Sequence, residues 1–538
     1  MNRQGRILVV DDLESWREEL VETLQHDGLY ADSASSVTEA LQRLNEKLYH
    51  LLVLDIRLED ADHTNEDGIS LLGELDKRGL SDATKVIMLS AHDTKEHMRM
   101  AFRDYKVADF LSKDKFSKQV FLESVWRAFS EEAHINQDLV VLWQEVSGPE
   151  QAVLNLEIDG TRVKRDKSLG NQIALELDDL LCRLFYEAER VLVRPLTQGQ
   201  SVTGVLWAQP FDANGGGRAV IVKFGDFRKI EQEYSNFRKY VQSFIGGGRS
   251  TNVIDMRRTP HLGGIIYSLL GADNDHLEDF GNFYRHANIS EITDVLDRLF
   301  LHTCNAWYAN HGKLQPYNLT EDYQQRFGLT SEKLVHPLSE LQRVVQGIQK
   351  LSFKSLNSER KFTNPLPGMT GPPLIRSTYS CPTHGDFNQH NLLVDSTGHT
   401  WLIDFQRTTQ GHLLHDVAKL DSEIRFFLLA SEAATLDERL KMEEALCSIE
   451  RFSQVEQLAT MFATENVALA KAYTTVVHVR TLAAKLMAQN PSDDFSEYYI
   501  ALFYNAMNTI RFYTLSLGQR EHALLSASLL ADQLKLRG

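Results

Sequence analysis

Between residues 6 and 130, short apolar runs alternate with amphipathic segments, and this alternation restricts the possible folds more than any other feature of the sequence. The run RILVV precedes a segment whose apolar residues recur at helical spacing. The later run HLLVLDIRL is almost wholly apolar, as is typical of a strand buried on both faces. Repeated strand and helix units favour a parallel sheet with helices on both faces. We therefore predict a doubly wound α/β domain for residues 1–130.

Polar side chains stand where the predicted strands end. They are Asp11, Asp12, Asp55, Ser90 and Lys113. Because the carboxyl ends of parallel strands line one crevice, we expect these side chains to lie together. Taken singly, an aspartate at a strand end is often only a helix cap, and Lys113 is consistent with a surface charge. As a set, clustered carboxylates favour Mg²⁺, and one of them is able to accept a phosphoryl group.

These residues carry a resemblance to a family. Residues 6–130 resemble a response-regulator receiver domain, which implies that Asp11, Asp12 and Asp55 hold Mg²⁺ and that Asp55 accepts the phosphoryl group. The residues that would respond to phosphorylation are Ser90, Phe110 and Lys113. The resemblance also implies a cognate sensor histidine kinase as partner.

Residues 131–190 change in pattern and are interpreted as a coupling segment of helix and strand. The longest predicted helix there carries an apolar stripe, formed by Leu175, Leu177, Leu180, Leu181 and Leu184. The stripe is consistent with packing between domains, with a homodimer, or with ordinary core burial, which is the simplest interpretation.

The sequence of residues 191–272 predicts short strands, and a β-hairpin is the simplest interpretation. The turn TQGQSVTG contains Gly199 and Gly204, which would let backbone amides approach phosphates, and Ser201 adds a hydroxyl donor. Glycines beside a hairpin are often only turn formers, and neither a dinucleotide fingerprint nor a Walker A pattern is present.

A lysine in the middle of an apolar strand is more informative. Lys223 lies in VIVKFG, where a buried ammonium needs a partner. Glu233 on the following helix is the expected partner, and Glu231 is the alternative because the sequence does not fix the helix phase to one residue.

A second cluster of polar residues follows at THGDFNQHNLLVD. Asp386 precedes Asn391 by five positions, and Asp404 follows in WLIDFQRT. NLLVD and HTWLIDF read as paired strands, so Asn391 and Asp404 are expected at neighbouring strand ends. Phosphoryl transfer needs a base for the acceptor hydroxyl and oxygen ligands for Mg²⁺, which this set supplies.

The pattern HGDxxxxN followed by IDF resembles the protein-kinase-like phosphotransferases, specifically the aminoglycoside phosphotransferase and choline kinase branch. The resemblance implies a two-lobed fold, with a small lobe at 191–272 and a large lobe at 273–538 that ends in helices. It implies ATP as cofactor, GTP not being excluded, with Lys223 and Glu233 orienting the phosphates. The run from LVRPL to LFLHTCNAWY is also similar to kinase-like ternary-complex-associated domains.

The same resemblance assigns roles around the HGD motif. Asp386 would be the catalytic base, Asn391 and Asp404 the metal ligands, and His384 a support for the loop. Gln406 departs from the pattern, because many small-molecule kinases have a second acidic residue there. That departure puts a second Mg²⁺ in doubt.

Composition excludes some classes of protein. The 538 residues exceed one usual hydrophobic core, and 43% are hydrophobic, which predicts several folded domains. The net charge of −17 argues against a DNA partner. No apolar run reaches the roughly 18 residues of a membrane helix, so we expect a cytoplasmic protein without membrane contact.

Together these features predict a response regulator whose phosphorylation at Asp55 regulates a phosphotransferase acting on a small molecule or a protein hydroxyl. The alternative is an inactive nucleotide-binding scaffold that recruits partners under receiver control. Gln406 favours the scaffold, whereas Asp386 and Asn391 favour catalysis.

Overall fold

The computed structural model of the chain describes residues 5–59, 65–91, 95–144, 148–196, 202–244, 251–269, 277–342 and 347–536. The chain divides into two compact units. The first unit comprises residues 1–234 and 253–268, and the second comprises residues 235–252 and 269–538.

The N-terminal part of the first unit is a parallel sheet with helices on both faces. Its strands are β1 (Arg6–Val10), β2 (Tyr30–Ala34), β3 (Leu51–Leu54), β4 (Lys85–Ser90) and β5 (Asp109–Ser112). Its helices are α1 (Glu14–His26), α2 (Val37–Glu46), α3 (Asp67–Lys77), α4 (Lys95–Asp104) and α5 (Lys118–Arg127). The strand order is β2-β1-β3-β4-β5 with parallel pairing throughout. The predicted α/β domain is confirmed.

The strands of this sheet feed two cores. Ile7 and Val9 enter one core, and Leu8 and Val10 enter the other, because side chains alternate along a strand. The sheet is therefore covered on both faces.

The rest of the first unit is built on a mixed sheet. Its strands are β6 (Val140–Trp143), β7 (Glu157–Ile158), β8 (Thr161–Arg162), β9 (Arg190–Pro195), β10 (Gly204–Asp212), β11 (Gly215–Gly216), β12 (Val220–Asp226), β13 (Thr251–Arg258) and β14 (Leu262–Leu269). Its helices are α6 (Pro149–Val153), α7 (Lys167–Leu184) and α8 (Phe227–Asn236). The order is β13-β14-β12-β10-β9-β6, with β11 beside β10 and β7 paired only with β8. β9, β10 and β12 are successively antiparallel, as the hairpin interpretation expects, whereas β6 runs parallel to β9.

Helix α7 belongs to the core of this sheet. Leu177, Leu180, Leu181 and Leu184 are buried in one cluster with strand residues from β9 to β14. Leu180 and Leu184 lie directly against Gly264 of β14. Leu175 is 42% exposed, so the sequence interpretation was wrong to place it on the buried stripe. In the segment that the sequence analysis interpreted as a coupling segment, α7 thus packs against one face of the sheet.

The second unit combines short strands with a helical body. Its strands are β15 (Glu278–Asp279), β16 (Gln315–Asn318), β17 (Lys350–Ser352), β18 (Lys361–Thr363), β19 (Ile375–Thr378), β20 (Ser380–Thr383), β21 (Leu392–Val394), β22 (Thr400–Leu402) and β23 (Thr409–His412). They form the small sheets β15-β21-β22, β16-β19, β17-β18 and β20-β23.

The helices of the second unit are α9 (Phe280–His286), α10 (Ile289–Arg298), α11 (Asn305–Ala309), α12 (Leu319–Phe327), α13 (Ser331–Leu341), α14 (His415–Glu423), α15 (Leu436–Leu446), α16 (Leu458–Met461), α17 (Val467–Leu486), α18 (Ser496–Thr509) and α19 (Leu517–Gln533). α14 packs against α17 and α18, and α18 packs against α19. Within the ranges that the structure describes, no helix has the length and apolar composition needed to cross a membrane.

Candidate functional site

Three carboxylates meet at the carboxyl ends of β1 and β3. Asp11 and Asp12 follow β1, Asp55 follows β3, and a ligand oxygen of each lies within 4.8 Å of the others. The ammonium nitrogen of Lys113 lies 2.6 Å from Asp11 Oδ2 and 2.5 Å from Asp55 Oδ2. Asp11, Asp55 and Lys113 are buried, whereas Asp12 is half-buried. The structure thus brings together residues that are up to 102 positions apart in the sequence.

The electrostatics of this crevice favour a further cation. Burial raises the pKa of Asp11 to about 6, because Lys113 offsets only part of the lost hydration and Asp55 adds repulsion. Burial alone would lower the pKa of Lys113, but the Asp55 and Asp11 carboxylates outweigh it and raise that pKa. The three carboxylates are hard oxygen donors, and the single ammonium of Lys113 leaves the cluster with excess negative charge, which fits Mg²⁺.

The other two receiver residues singled out in the sequence lie on neighbouring strands. Ser90 is the last residue of β4 and is fully buried. Phe110 lies in β5, is half-buried and packs against the core cluster that contains Leu8 and Leu54. Ser90 pairs with Ser112, the residue before Lys113, so the strand register carries Ser90 and Lys113 to the same edge.

The opposite edge of the receiver sheet contacts helix α7, which the sequence did not predict. His50 precedes β3, and its Nε2 lies 2.8 Å from Asp179 Oδ1. Arg183 binds Asp179 Oδ2 at 2.8 Å and donates to the carbonyl oxygen of Ala83, just ahead of β4, at 3.0 Å. His50 Nδ1 accepts the backbone N–H of Arg6, so its hydrogen is on Nε2, facing Asp179.

This contact is charged and buried. Burial alone would raise the pKa of Asp179, but Arg183 and His50 outweigh it and hold that pKa well below its usual range. A charged pair in the apolar helix sequence LELDDLLCRLF was the signal available in the sequence, because buried charges need partners.

Lys223 has the partner expected of a buried lysine. Its ammonium lies 2.6 Å from Glu233 Oε2, and both side chains are at most 2% exposed. The hydroxyl of Tyr267 in β14 donates to Glu233 Oε1. Glu231, the alternative partner, is exposed.

The glycine turn is only partly described. Gly199 and Ser201 lie outside the described residues. Gly204 begins β10 opposite Phe224, and a Cβ on Gly204 would lie 2.2 Å from the Phe224 ring. This close packing is by itself a sufficient reason for glycine at position 204.

The residues of the second predicted cluster lie at the ends of β21 and β22. Asn391 precedes β21, and its carbonyl accepts the N–H of Ile403 at 3.0 Å, which places Asn391 beside Asp404. Asn391 Nδ2 also donates to the carbonyl of Asp386 at 2.9 Å. Asp404 has φ 70°, in the left-handed region that non-glycine residues seldom adopt. Asp386 and Asp404 are both half-buried.

Asp386 lies in a loop of residues 384–391, here named the HGD loop. Asp416 of α14 holds the backbone of this loop. Asp416 accepts the backbone N–H of His384 at 2.8 Å and of Gly385 at 3.0 Å, together with the hydroxyl of Tyr308 at 3.2 Å. Burial raises the pKa of Asp416 despite these donors. Gly385 has φ +83° and lies so close to Arg407 that a Cβ would approach its carbonyl oxygen to 2.3 Å.

His384 supports the loop from within, as the sequence resemblance implied. Its Nε2 lies 3.1 Å from the carbonyl of Ile403, and its Nδ1 lies 3.4 Å from the N–H of Asp386. A neutral ring with the hydrogen on Nε2 satisfies both contacts. The ring is fully buried, so it acts on the loop rather than on a ligand.

Two protein families match the chain. The response regulator receiver domain family matches residues 7–125. The family described as ternary complex associated domain 9 matches residues 188–349 and 358–511, more than half of the chain. No curated protein matches the chain.

Several solved structures are similar to about a quarter of the chain. A CheY-like receiver domain from Methanospirillum hungatei JF-1 is 22% identical, and the match covers 24% of this chain and 96% of that one, with a TM-score of 0.22. The receiver domain of NtrX from Brucella abortus is 30% identical over 23% of this chain and 98% of that one, with a TM-score of 0.21. NtrX from Brucella abortus in complex with ADP is 29% identical over 24% of this chain and only 27% of that one, with a TM-score of 0.21.

The receiver sheet, its acidic crevice and the family match over residues 7–125 establish a response regulator receiver domain, which implies a phosphodonor such as a sensor kinase. The remaining match covers the mixed sheet from β9 onwards and most of the second unit. The chain therefore belongs to the ternary complex associated domain 9 family, with a receiver domain at its N-terminal side.

Proposed function

We propose that phosphorylation of Asp55 regulates an output phosphotransferase that uses ATP and Mg²⁺ to phosphorylate a hydroxyl group on a small molecule or a protein. The observation that carries this proposal is the HGD loop. Its backbone is held by the buried Asp416, while the carboxylate of Asp386 remains half-buried and accessible. A carboxylate presented on a fixed loop suits a base that must meet an acceptor hydroxyl.

The proposed reaction is a direct transfer. The acceptor hydroxyl oxygen attacks the γ-phosphorus of ATP, the bond from that phosphorus to the β,γ-bridging oxygen breaks, and ADP leaves. Asp386 takes the hydroxyl proton. Asn391 and Asp404 offer an amide and a carboxylate oxygen at adjacent positions, a donor set suited to Mg²⁺, which when bound would neutralise phosphate charge.

Lys223 and Glu233 support the nucleotide part of the proposal. In protein kinases a lysine and glutamate ion pair orients the nucleotide phosphates. Here the pair is buried, 2.6 Å long and further fixed by Tyr267. A lysine ammonium held in one position would bind phosphate oxygens without first losing side-chain entropy.

The contacts of α7 provide a route for regulation. His50 and Ala83 of the receiver bind Asp179 and Arg183 on one face of this helix. Its other face, through Leu180 and Leu184, lies against Gly264 in β14.

From β14 the route reaches the ion pair. Ile265 in β14 pairs with Lys223 in β12, and Tyr267 in β14 binds Glu233. A shift of α7 in response to phosphorylation would therefore reach Lys223 through one strand.

A second candidate function is a nucleotide-binding scaffold that recruits partners. It is favoured by Gln406, which occupies the position of a second acidic metal ligand. One carboxylate fewer would weaken Mg²⁺ binding and slow transfer without preventing nucleotide binding.

ATP turnover tests the proposal. The full chain is assayed with Mg²⁺, with and without beryllofluoride, beside Asp55→Ala and Asp404→Ala variants. We expect turnover that requires Asp404 and changes with beryllofluoride only when Asp55 is present. Nucleotide binding without turnover, equal in the wild type and in Asp404→Ala, would favour the scaffold.

A further inference from the structure

One face of helix α14 lies along the HGD loop. Asp416 and Glu423 on this face bind backbone amides at the two ends of the loop segment, because Glu423 Oε1 accepts the N–H of Gln389 at 3.4 Å. Lys419 lies between them at helical spacings of three and four residues, on the same face. The loop is thus held at both ends by carboxylates, with one lysine between.

Lys419 is a buried cation on the face of α14 that binds the HGD loop. Its ammonium lies 3.1 Å from Glu423 Oε2 and 5.2 Å from the ring centroid of Phe427, and its side chain is 11% exposed. Burial alone would lower the pKa of Lys419, but Glu423 and Asp386 outweigh it and raise that pKa, so the ammonium stays charged at neutral pH.

We infer that Lys419, held by Glu423, is a positioning residue that fixes the Gln389 end of the HGD loop, the loop that carries Asp386, for phosphoryl transfer. This inference rests on the proposed function. One carboxylate oxygen of Glu423 accepts the N–H of Gln389 while the other binds the ammonium of Lys419, so the ammonium holds the acceptor of that N–H in place. Without Lys419, Glu423 would be a buried carboxylate that has lost its bound ammonium, which is a costly state and would loosen its contact with the loop.

An ordinary helix-stabilising pair is the competing explanation, since Lys419 and Glu423 are four residues apart. The two explanations differ for the double variant Lys419→Met/Glu423→Gln. It removes both charges, so a purely stabilising pair would be replaced at little cost. A positioning pair would still be missing, because the N–H of Gln389 would lose its charged acceptor.

Two measurements on the full chain test the inference. Hydrogen exchange at the amides of residues 384–391 is compared between the wild type, Lys419→Met, Lys419→Arg and the double variant. Lys333→Met is the control, since Lys333 in the same unit binds the carbonyl of Gly328. We expect exchange at Gln389 to accelerate by about tenfold in Lys419→Met and in the double variant, but not in the control.

Kinetics give the second readout. We expect kcat for ATP turnover to fall by about tenfold or more in Lys419→Met and the double variant, with KM for ATP unchanged and most of kcat restored in Lys419→Arg. Wild-type exchange and kcat in the double variant would overturn the inference. If the wild type itself turns over no ATP, the proposed function fails, and the exchange data alone decide whether Lys419 positions the loop.

Discussion

The receiver crevice and the HGD loop each depend on a buried aspartate whose pKa is raised by burial, Asp11 in the first and Asp416 in the second. Asp11 faces two further carboxylates and Lys113. Asp416 instead accepts two backbone N–H groups and a tyrosine hydroxyl. A cluster of like charges indicates a binding site for a cation or a phosphoryl group, whereas a carboxylate that accepts several backbone donors indicates a structural support. The partners of a buried acid, rather than its pKa, distinguish a ligand from a support.

The largest effect is expected for Asp386, which lies on the loop that Asp416 holds. Asp386→Ala should lower ATP turnover by about 10² to 10⁴-fold, because the acceptor hydroxyl loses its base. Nucleotide affinity should change little, and a binding titration beside the rate assay checks this. Asp294→Ala, at an exposed position of α10, is the control. Turnover in Asp386→Ala equal to that of the control would remove the HGD loop from the chemistry.

Asp416 itself should matter most for stability. Asp416→Ala should lower the free energy of unfolding by about 2–4 kcal/mol, because two buried backbone N–H groups lose their acceptor. Denaturant unfolding of the full chain measures this.

Asp11→Ala without Mg²⁺ is the matched comparison. Asp11→Ala should lower the free energy of unfolding by less than about 1 kcal/mol, since removing one of three clustered carboxylates relieves repulsion. Equal losses in Asp416→Ala and Asp11→Ala would show that the two acids have the same structural role.

The raised pKa of Asp11 predicts a pH dependence for the crevice. Folded Asp11 binds its proton more tightly than unfolded Asp11, so its contribution to stability is full below about pH 3.8 and is lost as the pH rises through about 6. Mg²⁺ needs the ionised form. Its affinity, measured by calorimetry, should be constant above about pH 6 and fall by about tenfold per unit below it. An Asp11→Asn variant should lose this dependence; a wild-type affinity flat from pH 5 to 7 would contradict the assignment.

A smaller effect than that of Asp416→Ala is expected at the far edge of the receiver sheet. His50→Ala should lower the free energy of unfolding of the first unit by about 1–2 kcal/mol, because Asp179 loses one of its two cationic or donor partners. His26→Ala is the matched control, since that side chain is 79% exposed. Equal stability of the two variants would show that the contact with α7 contributes nothing.

The local pattern of apolar and polar residues was enough to predict the receiver domain. The strands that end at Asp11, Asp55 and Ser90 are continuous apolar runs, and parallel pairing necessarily collects their ends at one edge. The neighbouring positions of Asn391 and Asp404 likewise follow from a hairpin with a short turn.

The supports were not predictable in this way. Asp416 and Glu423 lie about 30 residues beyond the loop they bind, on a helix buried on every side, so hydrophobic periodicity gave no face to interpret. The pairing of β6 with β9 joins segments separated by two helices, α6 and α7, and the small hairpin β7–β8, and no local signal specifies a parallel partner. Leu175 was misplaced because its neighbours in an apolar stretch made the stripe look broader than it is.

The parallel pairing of β6 with β9 has a consequence for how this protein can be cut or recombined. The family match begins at residue 188, inside the loop before β9, yet the core of that sheet already includes Leu139 and Leu177. A gene fragment that starts at residue 188 would lack β6 and α7. In its product β9 would be an unpaired edge strand, and the apolar face that α7 covers would be exposed. Both changes favour aggregation. The segment of the output region that must be kept together is therefore longer than the segment that the family matches. A recombination that exchanges the receiver would have to join upstream of β6 and also preserve the receiver residues that meet α7.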